Sequence, residues 1–88
     1  MNREKKFNPQ RFRSLMSAKL KERGLNVNSF TRTYGFQRVP LARAMIGVSR
    51  PSAESLINWC KALECTPEER DEITASVFDD ELEEESAA

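Results

Sequence analysis

Residues 30–47 read FTRTYGFQRVPLARAMIG, and the reading of this stretch decides the fold. Phe30 and Tyr34 stand four apart, so on a helix they face one way. Gly35 follows where a sharp turn requires positive φ, a conformation that glycine reaches without the steric cost of a Cβ. Phe36, directly after the turn, is expected as a core plug. A second helix is predicted to begin near Gln37 or Arg38. It tolerates Pro40, because a proline in the first helical turn gives up an N–H that had no intrahelical partner. Leu41, Ala44 and Met45 supply its buried side, and Gly47 closes it. Two short helices joined by a glycine turn make a helix-turn-helix unit.

Upstream, Asn8 and Pro9 mark a helix start, asparagine as cap and proline as first helical residue. Phe12, Leu15, Met16 and Leu20 then keep to one side, Gly24 ends the helix, and Arg11, Arg13, Lys19, Lys21 and Arg23 are expected on the remaining surface. Asn28 or Asn26 caps the first helix of the central pair. Downstream, a loop over Val48 to Pro51 leads to Ser52, the cap of a helix with Leu56, Ile57, Cys60 and Leu63 as its apolar stripe. Trp59 lies at the edge of that stripe and reads as packing rather than ligand binding. Thr66, Pro67, Glu68 and Glu69 spell a capping box with proline at the first helical position. Ile73, Val77 and Phe78 mark the buried side of a fifth helix. Nothing reads as a strand, so the expected class is all-α, a small five-helix domain over residues 8–78. A basic arm precedes it at 1–7, and an acidic tail, frayed or disordered, follows it at 79–88.

Composition narrows the function. A chain of 88 residues supports one small core, which leaves little room for an elaborate active site. There is no histidine, the side chain most used for neutral-pH acid–base chemistry and the commonest metal ligand. No phosphate-cradling glycine loop is present either, so no enzyme and no cofactor are expected. The most apolar stretch, Val39 to Val48, is interrupted by Arg43 and is too short for a membrane span. Met1 to Lys6 leads into no apolar signal core. Cys60 and Cys65 are too few for a zinc site without histidine and are expected as reduced thiols of a cytoplasmic protein.

The formal charge of zero hides a division. Residues 1–50 hold 12 basic residues against Glu4 and Glu22, a net of +10, whereas residues 51–88 hold Lys61 and Arg70 against 12 acids, a net of −10. A basic half with spaced Lys and Arg suits a polyanion, because each neutralised phosphate releases condensed counterions. A solvated charged face is the plainer explanation of the same pattern.

Thr31, Gly35, Phe36, Leu41, Ala44 and Gly47, followed by Arg50, Pro51, Ser52 and the run from Leu56 through Lys61, Ala62 and Leu63, resemble the lambda repressor/Cro-like (Xre-type) helix-turn-helix DNA-binding family. The resemblance covers about two thirds of the chain when the flanking helices are counted. It implies double-stranded DNA as partner, with the helix near 37–46 in the major groove and its first residues nearest the base edges. Gln37, Arg38, Val39 and Arg43 are then the candidate base readers. Arginine donates bidentately to guanine, glutamine to adenine, and valine touches a thymine methyl. Arg43 serves equally as a phosphate contact, and Val39 equally as a core residue. Asn28, Ser29, Arg32, Ser49 and Arg50 are candidate phosphate contacts, Arg50 having Glu54 as an alternative partner.

Family members usually dimerise on palindromic operators with half-sites about 34 Å apart. Ile73, Val77, Phe78 and Leu82 are the candidate homodimer surface; all but Leu82 serve equally as core. Arg3, Lys5 and Lys6 add nonspecific DNA contacts or remain a solvated end. The acidic tail solubilises, folds over the basic face, or docks a protein partner. The expected function is a transcriptional regulator of phage, plasmid or bacterial type, a repressor in the simplest case. The alternative is a protein-interaction module or antitoxin-like subunit.

Overall fold

The computed structural model describes the backbone of residues 7–87 and the side chains of residues 7–78. Five helices follow in order: α1 (Pro9–Glu22), α2 (Val27–Tyr34), α3 (Arg38–Met45), α4 (Ala53–Ala62) and α5 (Pro67–Ala87). Among the described residues there is no strand, and no helix is long and apolar enough to cross a membrane.

Most boundaries are set by local chemistry. Asn8 Oδ1 accepts from the Arg11 N–H at 3.1 Å ahead of Pro9. Asn26, of the two asparagines considered, is the cap of α2, with Ser29 completing a reciprocal box. Ser52 accepts from the Ser55 N–H, and Thr66 exchanges bonds with Glu69 as the sequence predicts. The helix ends share one device, in which the N–H two residues beyond the last turn reaches back to a carbonyl five positions earlier. Leu25 bonds Leu20, Phe36 bonds Thr31, Val48 bonds Arg43 and Cys65 bonds Cys60. The residue between is Gly24, Gly35 or Gly47 in the first three cases and Glu64, at φ 55°, in the fourth. Gly47 has a second reason to lack a side chain, since a Cβ there would come within 2.9 Å of Pro9.

α1 packs on α5 and α3, α2 lies against α3, and α4 lies against α5. Phe12, Met16 and Leu20 from α1 meet Phe30, Leu41, Ala44, Leu56, Trp59, Leu63, Ile73 and Val77 in one core. Each large apolar side chain fully removed from water there stabilises by about 1.5–3 kcal/mol. Trp59 is 3% exposed and serves as packing. Ile57, by contrast, is half exposed and leaves the stripe assigned to it, because α4 turns only Leu56, Trp59 and Cys60 inward.

Two polar features were not read from the sequence. Lys19, expected on the surface, is buried and bonds Glu69 Oε1 at 2.9 Å and Glu22 Oε1 at 3.0 Å, joining α1 to α5. Ser76 is fully buried; its hydroxyl donates to the Ile73 carbonyl, and its own carbonyl accepts the Asn8 N–H at 2.8 Å. Phe78, at φ −126° and ψ 26°, interrupts α5 with a kink. Beyond it the backbone is helical to Ala87, over much of the segment expected as a frayed or disordered tail. The side chains of 79–88, Leu82 included, and the arm residues 1–6 lie outside the described residues.

Candidate functional site

The strongest candidate site is the face that α3 turns away from the core. Leu41, Ala44 and Met45 are buried beneath it. The helical period then sends Val39, Arg43 and Ile46 outward together, with Arg38 and Pro40 on the flanks. Val39 is 51% exposed and Ile46 67% exposed, so Val39 is a surface residue and not part of the core. Arg38, Arg43 and Gln37 are exposed. Ile46 was not singled out from the sequence, although its spacing of three from Arg43 and seven from Val39 carries the signal.

Below α3, the packing is dense. Phe30, Tyr34 and Phe36 form an aromatic set with Phe30–Phe36 centroids 5.4 Å apart and Phe30–Tyr34 centroids 5.3 Å apart. This set and the left-handed Gly35, at φ 75°, fix the angle between α2 and α3. The buried Thr31 hydroxyl donates to the Val27 carbonyl at 2.8 Å, so it is satisfied within α2 itself.

The start of α3 differs from the other four. Asn8, Asn26, Ser52 and Thr66 cap α1, α2, α4 and α5 with side-chain acceptors. Gln37 makes no side-chain cap bond on α3. Pro40 occupies the third helical position and has no N–H to offer, but the Arg38 and Val39 amides are left open at the helix end. Such an end carries partial positive charge. A cleft of about 190 Å³ adjoins it, where Gln37 and Pro40 meet Ser55 and Asn58 of α4 above Phe36 and Trp59.

Among the described residues, the ion pairs are Lys19–Glu22, Lys19–Glu69 and Arg23–Glu64. None of them takes Arg32, Arg38 or Arg43, which remain available to an external anion. Asn28 and Arg32 are exposed on α2. Ser29 is different: its hydroxyl accepts the Asn26 N–H at 2.9 Å and donates to the Asn26 carbonyl at 3.3 Å. Its proton is committed to the cap, which removes it as a phosphate donor. Ser49 is half-buried in the loop after α3. Arg50 places its guanidinium 5.5 Å from the Phe78 ring centroid, a cation–π contact that ties the loop to the kink in α5.

The surface assigned to dimerisation changes most. Ile73 and Val77 are 1% and 0% exposed within the protomer's own core, so they offer nothing to a second copy. Phe78 is half-buried beneath Arg50. Among the described residues, no group of three or more His, Cys, Asp or Glu side chains is placed to hold a metal ion. Comparison of the chain with protein-family models, curated proteins and solved structures found no match.

Proposed function

We propose that this chain is a sequence-specific DNA-binding transcriptional regulator with a lambda-repressor-like helix-turn-helix fold, binding duplex DNA through α3. The observation that carries the reading is the outward face of α3: Arg38 and Arg43 exposed without ion pairs, beside an uncapped helix start, on a helix pair fixed by Gly35. In this reading Gln37 and Arg38 reach base edges, Arg43 reads a base or holds a phosphate, and Val39 and Ile46 contact thymine methyls. Asn28 and Arg32 of α2, with Ser49 and Arg50 beyond α3, set the register on the phosphates. Repression follows by occlusion of the bound site.

One helix reads only a few base pairs, so a dimer on a palindromic operator belongs to the proposal. With Ile73 and Val77 in the core, Phe78 is the one candidate for the dimer surface left among the described residues.

The test is fluorescence anisotropy of the full chain with fragments selected from random DNA and with mixed-sequence DNA. Selected fragments are expected to bind at least about a thousandfold more tightly than mixed sequence. Both affinities fall steeply with salt. Absence of binding to either at about 50 mM salt overturns the proposal. One observation favours a second reading in that event: Val39, Ile46 and Val48 are 51%, 67% and 63% exposed, an apolar surface suited to a protein-interaction or antitoxin-like subunit.

A further inference from the structure

We propose that Cys60 and Cys65 form a dithiol site that closes into an intrachain disulfide by exchange with a small anionic disulfide of the glutathione type. The inference is independent of what α3 contacts. It starts from the end of α4, where the Cys65 N–H bonds the Cys60 carbonyl at 3.0 Å and the Glu64 N–H bonds the Lys61 carbonyl at 3.1 Å. This reversal brings together the side chains of its first and last residues, usually as an apolar contact. Here both residues are free thiols. The backbone bond between the two residues keeps their Cα atoms within reach of the roughly 4.4–6.8 Å that a disulfide spans.

The turn is held from outside. Arg23 of α1 bonds Glu64 at 3.3 Å. Glu69 accepts the Thr66 N–H at 2.8 Å and Lys19 at 2.9 Å. Two thiols held in a fixed turn have a higher effective concentration than the same thiols on a flexible chain. A cavity of about 520 Å³ opens onto them, with Ile57, Lys61, Glu64, Arg70 and Thr74 also in its wall. Lys61 and Arg70 outnumber the single carboxylate there, and Glu64 is itself paired with Arg23, so the wall favours a carboxylate-bearing disulfide. Cys65 is half-buried and reachable, whereas Cys60 is 3% exposed.

The order of events follows from exposure. Cys65 gives its proton to solvent, and its thiolate attacks one sulfur of the small disulfide. The S–S bond breaks, and one small thiolate leaves and takes up a proton. Cys60 then gives up its proton and attacks Sγ of Cys65 in the mixed disulfide, releasing the second small thiol. Two protein thiols are oxidised and one small disulfide is reduced to two thiols. Burial raises both thiols above their ordinary value, Cys60 to about 12, against the opposing charge of Arg70 at Cys60 and of Lys19 and Arg23 at Cys65; Glu69 adds to the rise at both. Closure therefore quickens as pH rises through the alkaline range.

The experiment equilibrates the full chain with oxidised and reduced glutathione at graded ratios, traps free thiols, and measures intact mass. The native chain is expected to lose two hydrogens with no retained adduct. Its closure constant should exceed that of the urea-unfolded chain by about tenfold or more, the unfolded chain keeping the same spacing without the held turn. Cys60→Ser is expected to stop at a glutathione adduct on Cys65, and Cys65→Ser to give neither adduct nor mass loss. A native chain that stops at the mixed disulfide, or closes no more favourably than the unfolded chain, overturns the inference.

Discussion

Lys19 on α1 and Arg43 on α3 are both basic residues on the flank of a helix, and the molecule disposes of them in opposite ways. At the seam of α1 and α5, Glu69 comes within 2.9 Å of the Lys19 ammonium, and with Glu22 it neutralises a buried cation. On α3 no carboxylate among the described residues pairs with Arg43 or Arg38. The difference lies in the neighbouring helix, not in the basic residue. α5 begins with acids, and its capping box turns one of them toward α1, whereas α2, the helix beside α3, carries no acid at all. A cation acquires a structural duty when a second element carries a carboxylate to it, and remains available for a partner when none does.

That contrast can be broken by substitution. The largest expected effect lies under α3: Leu41→Ala removes a fully buried side chain and should cost about 2–5 kcal/mol in urea unfolding. A smaller loss would mean that α3 is loosely held and unfit to position side chains. Next, Arg38→Ala is expected to weaken binding to selected DNA by about 1–3 kcal/mol, relax preference at one base pair, and leave the unfolding midpoint unchanged. Equal losses on selected and mixed DNA would remove Arg38 from base reading. Lys19→Met should show the opposite signature, with a lower midpoint and unaltered DNA affinity. Arg32→Ala is the mildest, weakening all sequences alike and reducing the salt slope by about one.

Titration sharpens the same contrast. Glu69 is held below its ordinary value of 4.5 by the Thr66 N–H and by Lys19, and Lys19 is held above 10.5 by its bonds to Glu69 and Glu22. The lowered carboxyl contributes stability that is fully present above 4.5 and is lost as pH falls through its depressed value in the folded chain. The raised lysine contributes below 10.5 and loses its contribution as pH rises through its elevated value. Thermal unfolding of Glu69→Gln across acid pH should show a flatter decline than the native chain. An unchanged decline would mean that the seam draws nothing from this pair.

Much of the architecture was legible because it is written in short-range chemistry. The Asn8–Pro9 start, the Ser52 cap and the Thr66–Glu69 box each depend on residues within three positions, and the structure contains all of them. The burial of Leu41, Ala44 and Met45 followed from period alone. What escaped depends on contacts between helices. Nothing in the spacing of Lys19 announced Glu69, fifty residues away. Ile73 and Val77 appeared surplus to a small core because the seat they fill, beneath α1, exists only after α1 and α5 meet. Ile57 fits a helical stripe on α4 but is left half exposed, in the wall of a cavity beside Arg70 and Thr74 of α5. For the candidate site, the spacing left Val39 open between surface and core, and only its 51% exposure in the folded chain decides for the surface. The commitment of the Ser29 hydroxyl to Asn26 required knowing which asparagine is the cap.

The open start of α3 sets durability against recognition at a single position. An aspartate in place of Gln37 would occupy the vacant amides and lend the helix about 1 kcal/mol. If α3 meets a polyanion as proposed, the same carboxylate would stand in its path. Toughening the molecule there would then silence it, which gives the unfinished start of α3 a use.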